Sequence, residues 1–177
     1  MAKILFFNPS LKDIYRQTNV RAGAPHYPSL TLATLAGHLI KEHRIKIVDL
    51  DLIPDSYNVL FNEIKDFCPD IIASTAATPV YFQVKDIMRR IKETCPQIKT
   101  VLGGAHVTAL PEEAGKEDHF DVIVIGEGDR VIPELLSSSS EKSVKGIAYK
   151  DNTAGARVFN EKRSLIQDLN ALPFPSW

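Results

Sequence analysis

Short runs of apolar residues recur along the chain, and each is followed by a segment whose apolar positions have helical spacing. A continuous apolar run is typical of a parallel strand that is buried on both faces, whereas spacings of three and four residues are typical of an amphipathic helix. The runs predict strands over residues 3–7, 45–49, 70–74, 98–102 and 121–125. The segments after them predict helices from Ser29, over 57–67, from Thr78, from Pro111 and over 129–137.

This alternation predicts an α/β fold with a doubly wound parallel sheet. Five βα units favour the flavodoxin-like strand order 2-1-3-4-5, which has a topological switch point between the first and third strands. Ser29 and Thr78 stand where helix N-caps are needed, and a proline follows Thr78 in the first turn.

The pattern changes at four consecutive serines, residues 137–140. We predict a domain over residues 1–140, a small C-terminal β-hairpin as an appendage over 141–163, and a linker over 164–177. Residues 144–149 and 157–159 are the hairpin strands. The tail is apolar and broken by prolines, so it either packs back on the domain or leads into a further domain.

Composition narrows the choice of partners and compartment. The net charge of −1 and a 24% content of charged residues give no reason to expect a nucleic acid or an anionic membrane as partner. No apolar run approaches the roughly 20 residues of a membrane span. Cys68 and Cys95 lie in unrelated segments, so we expect free thiols and a cytoplasmic location.

Three of the predicted strands end in very small residues, over 71–77, 100–106 and 122–128. Open α/β sheets bind ligands at the carboxyl ends of their strands, and small residues there let a large ligand approach the backbone. Candidate binding residues are Ser74, Thr75, Gly103, Gly104, Gly126, Glu127 and Gly128.

Each candidate also has a plainer explanation. For the glycine pair 103–104 the plainer explanation is a turn with positive φ, although close approach of a ligand to the backbone is favoured. Glu127 equally binds a ligand or faces water. Thr78 fits a helix cap better than a ligand contact. His106 is a structural histidine, a hydrogen-bond partner of a ligand, or a metal ligand.

The chain lacks the residues that other functions of this fold require. A phosphorelay receiver needs acids and a lysine where Asn8, Ser74 and Gly126 stand, and a flavodoxin needs glycine in the loop after the first strand. The dinucleotide fingerprint G-x-G-x-x-G fails because Val131 occupies the third glycine position. We find no metal-binding cluster and no convincing general acid, base or nucleophile, so no catalytic residue is predicted.

Four segments occur in an order typical of one family: VLGGAHVTALPEE (101–113), GEGD (126–129), VKGIAY (144–149) and DLNALPFPSW (168–177). The chain resembles the N-terminal cobalamin-binding domain of cobalamin-dependent radical S-adenosylmethionine enzymes. This family includes the anaerobic magnesium-protoporphyrin monomethyl ester cyclase and many radical methylases. The resemblance covers essentially the whole chain.

The resemblance implies that a corrinoid lies on the carboxyl edge of the sheet, with its nucleotide tail in the crevice. The cofactor-binding residues it implies are Ser74, Thr75, Gly103, Gly104, His106, Gly126, Glu127 and Gly128. It also implies that residues 164–177 lead into a barrel domain of the same chain, which is the partner and binds a 4Fe-4S cluster and S-adenosylmethionine. The domain is then the cobalamin module of a methyl-transferring or radical-cyclising enzyme, and is not catalytic alone.

Two known motifs are missing. The D-x-H-x-x-G motif of cobalamin mutases and methionine synthase, whose histidine ligates cobalt, is replaced by Asp13-Ile14-Tyr15, so ligation of cobalt by a protein histidine is not supported. The radical family often lacks this motif too, so the resemblance stands. The cluster motif C-x-x-x-C-x-x-C is also absent. Two alternatives therefore remain: a structural or interaction domain without cofactor, which bulky residues in the crevice would favour, and a small-molecule sensor.

Overall fold

One mixed sheet of seven strands runs through the computed structural model, which describes residues 1–12, 27–151, 153 and 155–177. The order across the sheet is β2-β1-β3-β4-β5-β6-β7. The strands are β1 (Lys3–Asn8), β2 (Arg44–Asp49), β3 (Ile71–Thr75), β4 (Lys99–Gly103), β5 (Val122–Val124), β6 (Ile147–Asp151) and β7 (Ala156–Phe159).

The first five strands are parallel neighbours in the order β2-β1-β3-β4-β5, as the βα repeats predicted. The total of five strands was wrong, because the hairpin extends the same sheet. β6 pairs antiparallel with β5, and β7 pairs antiparallel with β6. The buried residues Ile147 and Ala148 in β6 explain this placement, since the strand must be covered on both faces. Hairpin residues 152 and 154 lie outside the described residues, and the predicted domain boundaries stay predictions.

Six helices of the described part cover the two faces of the sheet. They are α1 (Leu30–Leu39), α2 (Ser56–Phe67), α3 (Tyr81–Thr94), α4 (Ala105–Ala109), α5 (Pro111–Gly115) and α6 (Gly128–Ser137). Helices α1 and α6 pack on one face around Leu32, Val131 and Leu135. Helices α2 to α5 pack on the other face. The crossover after β1 therefore runs on one face and the crossovers after β2, β3 and β4 run on the other, as a doubly wound sheet with this strand order requires.

The two predicted helix caps differ in outcome. Ser29 is the N-cap of α1, and its side chain accepts a hydrogen bond from the Leu32 N–H at 3.5 Å. The prediction for Thr78 was wrong: a 3₁₀ turn, Thr78–Val80, starts after Ala77 and has no side-chain cap. Thr78 lies inside this turn, so its hydroxyl is directed elsewhere and contacts His106.

The C-terminal tail packs back on the domain. The Ile166 N–H donates to the Glu127 side chain, and the Ser176 N–H donates to the Ala33 carbonyl. This is one of the two alternatives that the tail's composition left open. Cys68 and Cys95 are free thiols. No helix of the described part is long and apolar enough to cross a membrane. Residues 13–26, which make up most of the connection between β1 and α1, lie outside the described residues.

Candidate functional site

A cleft opens between the carboxyl ends of the central strands and the pair of helices α1 and α6. Its volume is about 200 Å³. Strands β1, β3, β4 and β5 form its floor, and helix side chains such as Leu35 and Ile132 form its sides. The cleft thus lies at the switch point, where the crossovers from β1 and β3 leave on opposite faces.

Seven of the eight residues implied as cofactor-binding come together in this cleft. Three separate strand ends contribute them: Ser74 and Thr75 at the end of β3, Gly103 and Gly104 at the end of β4, and Gly126, Glu127 and Gly128 after β5. The common feature that grouped them in the sequence, small or hydroxyl residues at strand ends, is what makes this edge concave. Their contacts with a cofactor stay a prediction.

The floor is open because its side chains are small. Ala73 and Gly103 lie on the same face of neighbouring strands as Val101 and Val124. A Cβ atom on Gly103 would meet the Val124 Cβ at 3.5 Å, an ordinary contact. Gly103 therefore widens the cleft by its size, while its backbone would accept a side chain.

Gly104 has a different role, because no other residue fits its position. Its φ is +105°, and a Cβ there would lie 2.6 Å from the Ala76 nitrogen and 2.6 Å from the Thr75 Oγ1. The β3 and β4 ends touch here, and the His106 N–H donates to the Ala76 carbonyl at 3.0 Å. The turn explanation thus applies to Gly104, and the open-space explanation applies to Gly103.

The two hydroxyls of the β3 end are in different states. The Ser74 hydroxyl donates to the Phe7 carbonyl at 2.9 Å, so it ties β3 to β1. The Thr75 hydroxyl makes no hydrogen bond to any residue that the structure describes, and it lines the cleft. Thr75 is therefore the better donor for a ligand.

The β5–α6 turn carries the third group of residues. Gly126 donates its N–H to the Thr108 hydroxyl at 3.0 Å. Glu127 is the N-cap of α6 but makes no side-chain cap hydrogen bond, so the first N–H groups of the helix remain available beside the cleft. Its Oε2 instead accepts the Ile166 N–H at 2.7 Å. Neither earlier explanation of Glu127 anticipated this contact with the tail.

His106 lies outside the cleft, in the core on the opposite face of the sheet. Its ring stacks on Tyr81 with centroids 3.8 Å apart, and its Nδ1 lies 3.2 Å from the Thr78 Oγ1. Its Nε2 is buried without a hydrogen bond and lies 4.0 Å from a Glu113 oxygen. Burial, reinforced by Glu117 and Glu113, raises the pKa of Tyr81 to about 12. The structure thus shows His106 in a packing contact, and a role in cofactor binding stays a prediction.

Residues of α1 complete the cleft and were missed in the sequence. Thr31, Leu32 and Leu35 line it, together with Phe6 of β1. Leu35 belongs to the predicted apolar face of α1, yet it is only half-buried. The sequence carries no signal that separates Leu35 from the core positions of this helix, because its exposure follows only from the packing of α1 beside the cleft. Within the described residues, no group of three or more His, Cys, Asp and Glu side chains is placed to hold a metal ion.

Comparison with known families shows which family the chain belongs to. A model of the B12 binding domain matches residues 18–136, well over half of the chain. The chain belongs to the B12 binding domain family.

Relatives of this B12 binding domain are longer proteins. It is 33% identical to an uncharacterized methyltransferase, PH0819, of Pyrococcus horikoshii, matching 99% of this chain and 38% of the relative. It is 29% identical to the anaerobic magnesium-protoporphyrin IX monomethyl ester cyclase of Cereibacter sphaeroides, matching 89% of this chain and 29% of the relative. The domain thus spans well under half the length of both relatives.

The same fold occurs in a solved structure of the cobalamin-dependent S-adenosylmethionine radical enzyme OxsB with aqua-cobalamin and S-adenosylmethionine bound. The TM-score is 0.78 over 99% of this chain and 24% of that one, at 18% identity. These findings confirm the family resemblance that the four sequence segments indicated.

Proposed function

We propose that this B12 binding domain holds cobalamin as one module of a larger radical S-adenosylmethionine enzyme. The observation that carries the proposal is the cleft at the switch point, with an open floor of Ala73 and Gly103. Bulky residues filling the crevice would have favoured a structural domain that has lost its cofactor. The small floor residues instead support a domain that retains a binding site.

The size of the cleft indicates which part of the cofactor it accepts. Sites that enclose a whole small ligand have volumes of about 300–1,000 Å³, whereas this cleft has about 200 Å³. It therefore suits the narrow nucleotide tail, and the broad corrin ring must lie outside on the strand edge. The Thr75 hydroxyl and the first N–H groups of α6 are the donors available to the tail.

The residues of this chain bind and orient the cofactor. When bound, cobalamin supplies methyl transfer or assists radical chemistry. Leu35 and Ile132 exclude water from the cleft, and the Ser74 hydroxyl keeps the β1 and β3 ends together beneath it. We infer that a 4Fe-4S cluster and S-adenosylmethionine belong to a barrel domain that follows residues 164–177 in the same chain. That barrel is the proposed partner, and the reducing cytoplasm is the proposed compartment, since both cysteines are free.

Retention of cobalamin is the direct test. The chain is mixed with hydroxocobalamin, freed of unbound cofactor by desalting, and its visible spectrum is recorded. We expect a base-off spectrum, because a tail inserted in the cleft carries its base away from the cobalt. Cobinamide, a corrinoid without the nucleotide tail, should be retained poorly. Equal retention of both corrinoids would contradict binding through the tail.

A matched pair of variants tests the cleft itself. Gly103→Leu places a large side chain on the floor, whereas Gly103→Ala adds a single methyl group at an ordinary contact distance. Since overfilling a packed space costs about 1–3 kcal/mol, the leucine variant should bind cobalamin roughly 10- to 100-fold more weakly. The alanine variant should bind nearly as well as the unchanged chain. If Gly103→Leu binds normally, the cofactor does not enter this cleft.

The alternative of a small-molecule sensor has its own test: a sensor would bind a nucleotide that displaces cobalamin.

A further inference from the structure

The C-terminal segment, residues 164–177, connects the two helical walls of the cleft, and we call this segment the strap. At one end, the Ile166 N–H donates to the Glu127 Oε2 at 2.7 Å. At the other end, the Ser176 N–H donates to the Ala33 carbonyl of α1 at 2.9 Å. Glu127 lines the cleft at the start of α6, and α1 is the facing wall. The strap therefore joins both sides of the cleft.

The strap meets α1 through its main chain. A Cβ atom on Gly37, in the second half of α1, would lie 2.3 Å from the Phe174 carbonyl oxygen, closer than any normal contact. The Phe174 and Trp177 side chains point away and are 93% and 76% exposed. Glycine weakens a helix relative to alanine, so its presence at this position needs a reason. The close approach of the strap supplies that reason.

The strap is also held where it leaves the hairpin. Arg163, the residue before it, forms an ion pair with Glu134 of α6, and its Nε donates to the Lys145 carbonyl at 3.3 Å. The segment is thus fixed on α6, then on the β5–α6 turn, and then on α1. Apart from the Lys145 contact, each of these contacts lies on an element that borders the cleft.

We infer that Glu127 and Gly37 position the strap as a clamp that holds α1 and α6 together around the cleft. Glu127 is a positioning residue, because its carboxylate binds the strap and fixes the turn that forms one wall. Gly37 is not one of the residues that line the cleft, so it acts through its contact with the strap. The two anchors are coupled, since releasing one end of a short segment lowers the cost of releasing the other. This inference concerns contacts within the chain and does not depend on the proposed cofactor.

Native-state amide hydrogen exchange, followed by NMR on the 177-residue chain without ligand, tests the coupling. The reporters are the Ile166 and Ser176 amides, one at each anchor. Glu127→Ala removes a hydrogen bond to a charged acceptor, so we expect exchange at both amides to accelerate roughly tenfold. Glu127→Gln keeps an oxygen acceptor and should restore most of the protection. The Leu102 amide, in the centre of the sheet, should not change and confirms that the variants remain folded.

Gly37→Ala perturbs the other end of the strap, because it acts at the α1 anchor alone. We expect it to accelerate exchange at Ser176 and also at the distant Ile166. Without the strap contact, alanine would strengthen α1, and exchange would slow or stay the same. The inference is overturned if each variant accelerates only the amide at its own anchor, or if Gly37→Ala protects the strap. Since no cofactor is present, a failure to retain cobalamin would leave this result unchanged.

Discussion

Gly104→Ala tests most directly how the candidate site is built. A Cβ at this position would lie 2.6 Å from the Ala76 nitrogen and 2.7 Å from its oxygen. These are main-chain atoms of the adjoining strand end, so they cannot rotate away as a flexible side chain would. The φ of +105° adds a second penalty, because side chains other than glycine avoid this region.

The expected loss of stability follows from these two terms. Overpacking costs about 1–3 kcal/mol, and the strained backbone costs about 1–3 kcal/mol more. The sum is about 2–6 kcal/mol, and each kcal/mol corresponds to about 2–4 °C in Tm for a chain of this size. We therefore expect Gly104→Ala to lower the Tm by at least about 4 °C, measured by circular dichroism with a urea titration in parallel.

Gly103→Ala is the matched control, one residue away in the same turn. Its added methyl group makes a 3.5 Å contact with Val124, and its backbone is extended strand. We expect a change of less than about 1 kcal/mol in the free energy of unfolding. If the two variants are equally stable, the close approach at Gly104 is not the constraint that the structure indicates.

Four further substitutions have defined outcomes. Ser74→Ala removes the hydrogen bond to Phe7 and should lower the unfolding free energy by about 1 kcal/mol in urea titrations; unchanged stability would contradict the tie between β1 and β3. Thr75→Val should leave stability within about 0.5 kcal/mol but weaken cobalamin binding several-fold in spectroscopic titrations, and unaltered binding would remove Thr75 as a donor. Burial raises the pKa of Tyr81 to about 12, so the neutral phenol stabilises the fold up to pH 10 and this stability is lost as the pH rises from 10 to 12. Tyr81→Phe should flatten that decline when unfolding is measured against pH. An equally steep decline would show that Tyr81 is not its cause. Burial lowers the pKa of His119 below 6.5, so the stability that its neutral ring contributes is present above pH 6.5 and lost as the pH falls. His119→Gln should therefore reduce the loss of stability between pH 7 and 5. A loss as large as in the unchanged chain would contradict this.

The parallel part of the fold could be predicted because its signals are local. Apolar runs such as 71–74 cannot be exposed on either face, and their alternation with amphipathic helices leaves few arrangements. The hairpin was predicted correctly as a hairpin, but the predicted total of five strands was wrong because both hairpin strands join the sheet. A strand pairing depends on which edge remains open, and the residues 147–149 carry no information on that edge.

The candidate site also has a part that could be predicted from the sequence and a part that could not. Small residues at three strand ends are visible in the sequence, and parallel strands bring their carboxyl ends to one edge, so seven cleft residues could be named in advance. His106 could not be separated from them, because it follows Gly104 by only two residues. The direction of its ring, toward Tyr81 and Thr78 on the opposite face, is decided by the start of α4.

The sequence by itself determined the α/β class, the order of the parallel strands, the edge of the sheet at which the cleft lies and the family. These properties follow from hydrophobic periodicity and from short motifs, which act over a few neighbouring residues. Only the tertiary structure decided that Gly103 opens the cleft while Gly104 permits a contact between strand ends, and that Glu127 binds Ile166. Such roles depend on atoms far apart in the chain, and a contact between distant segments exists only once the sheet and its helices have packed.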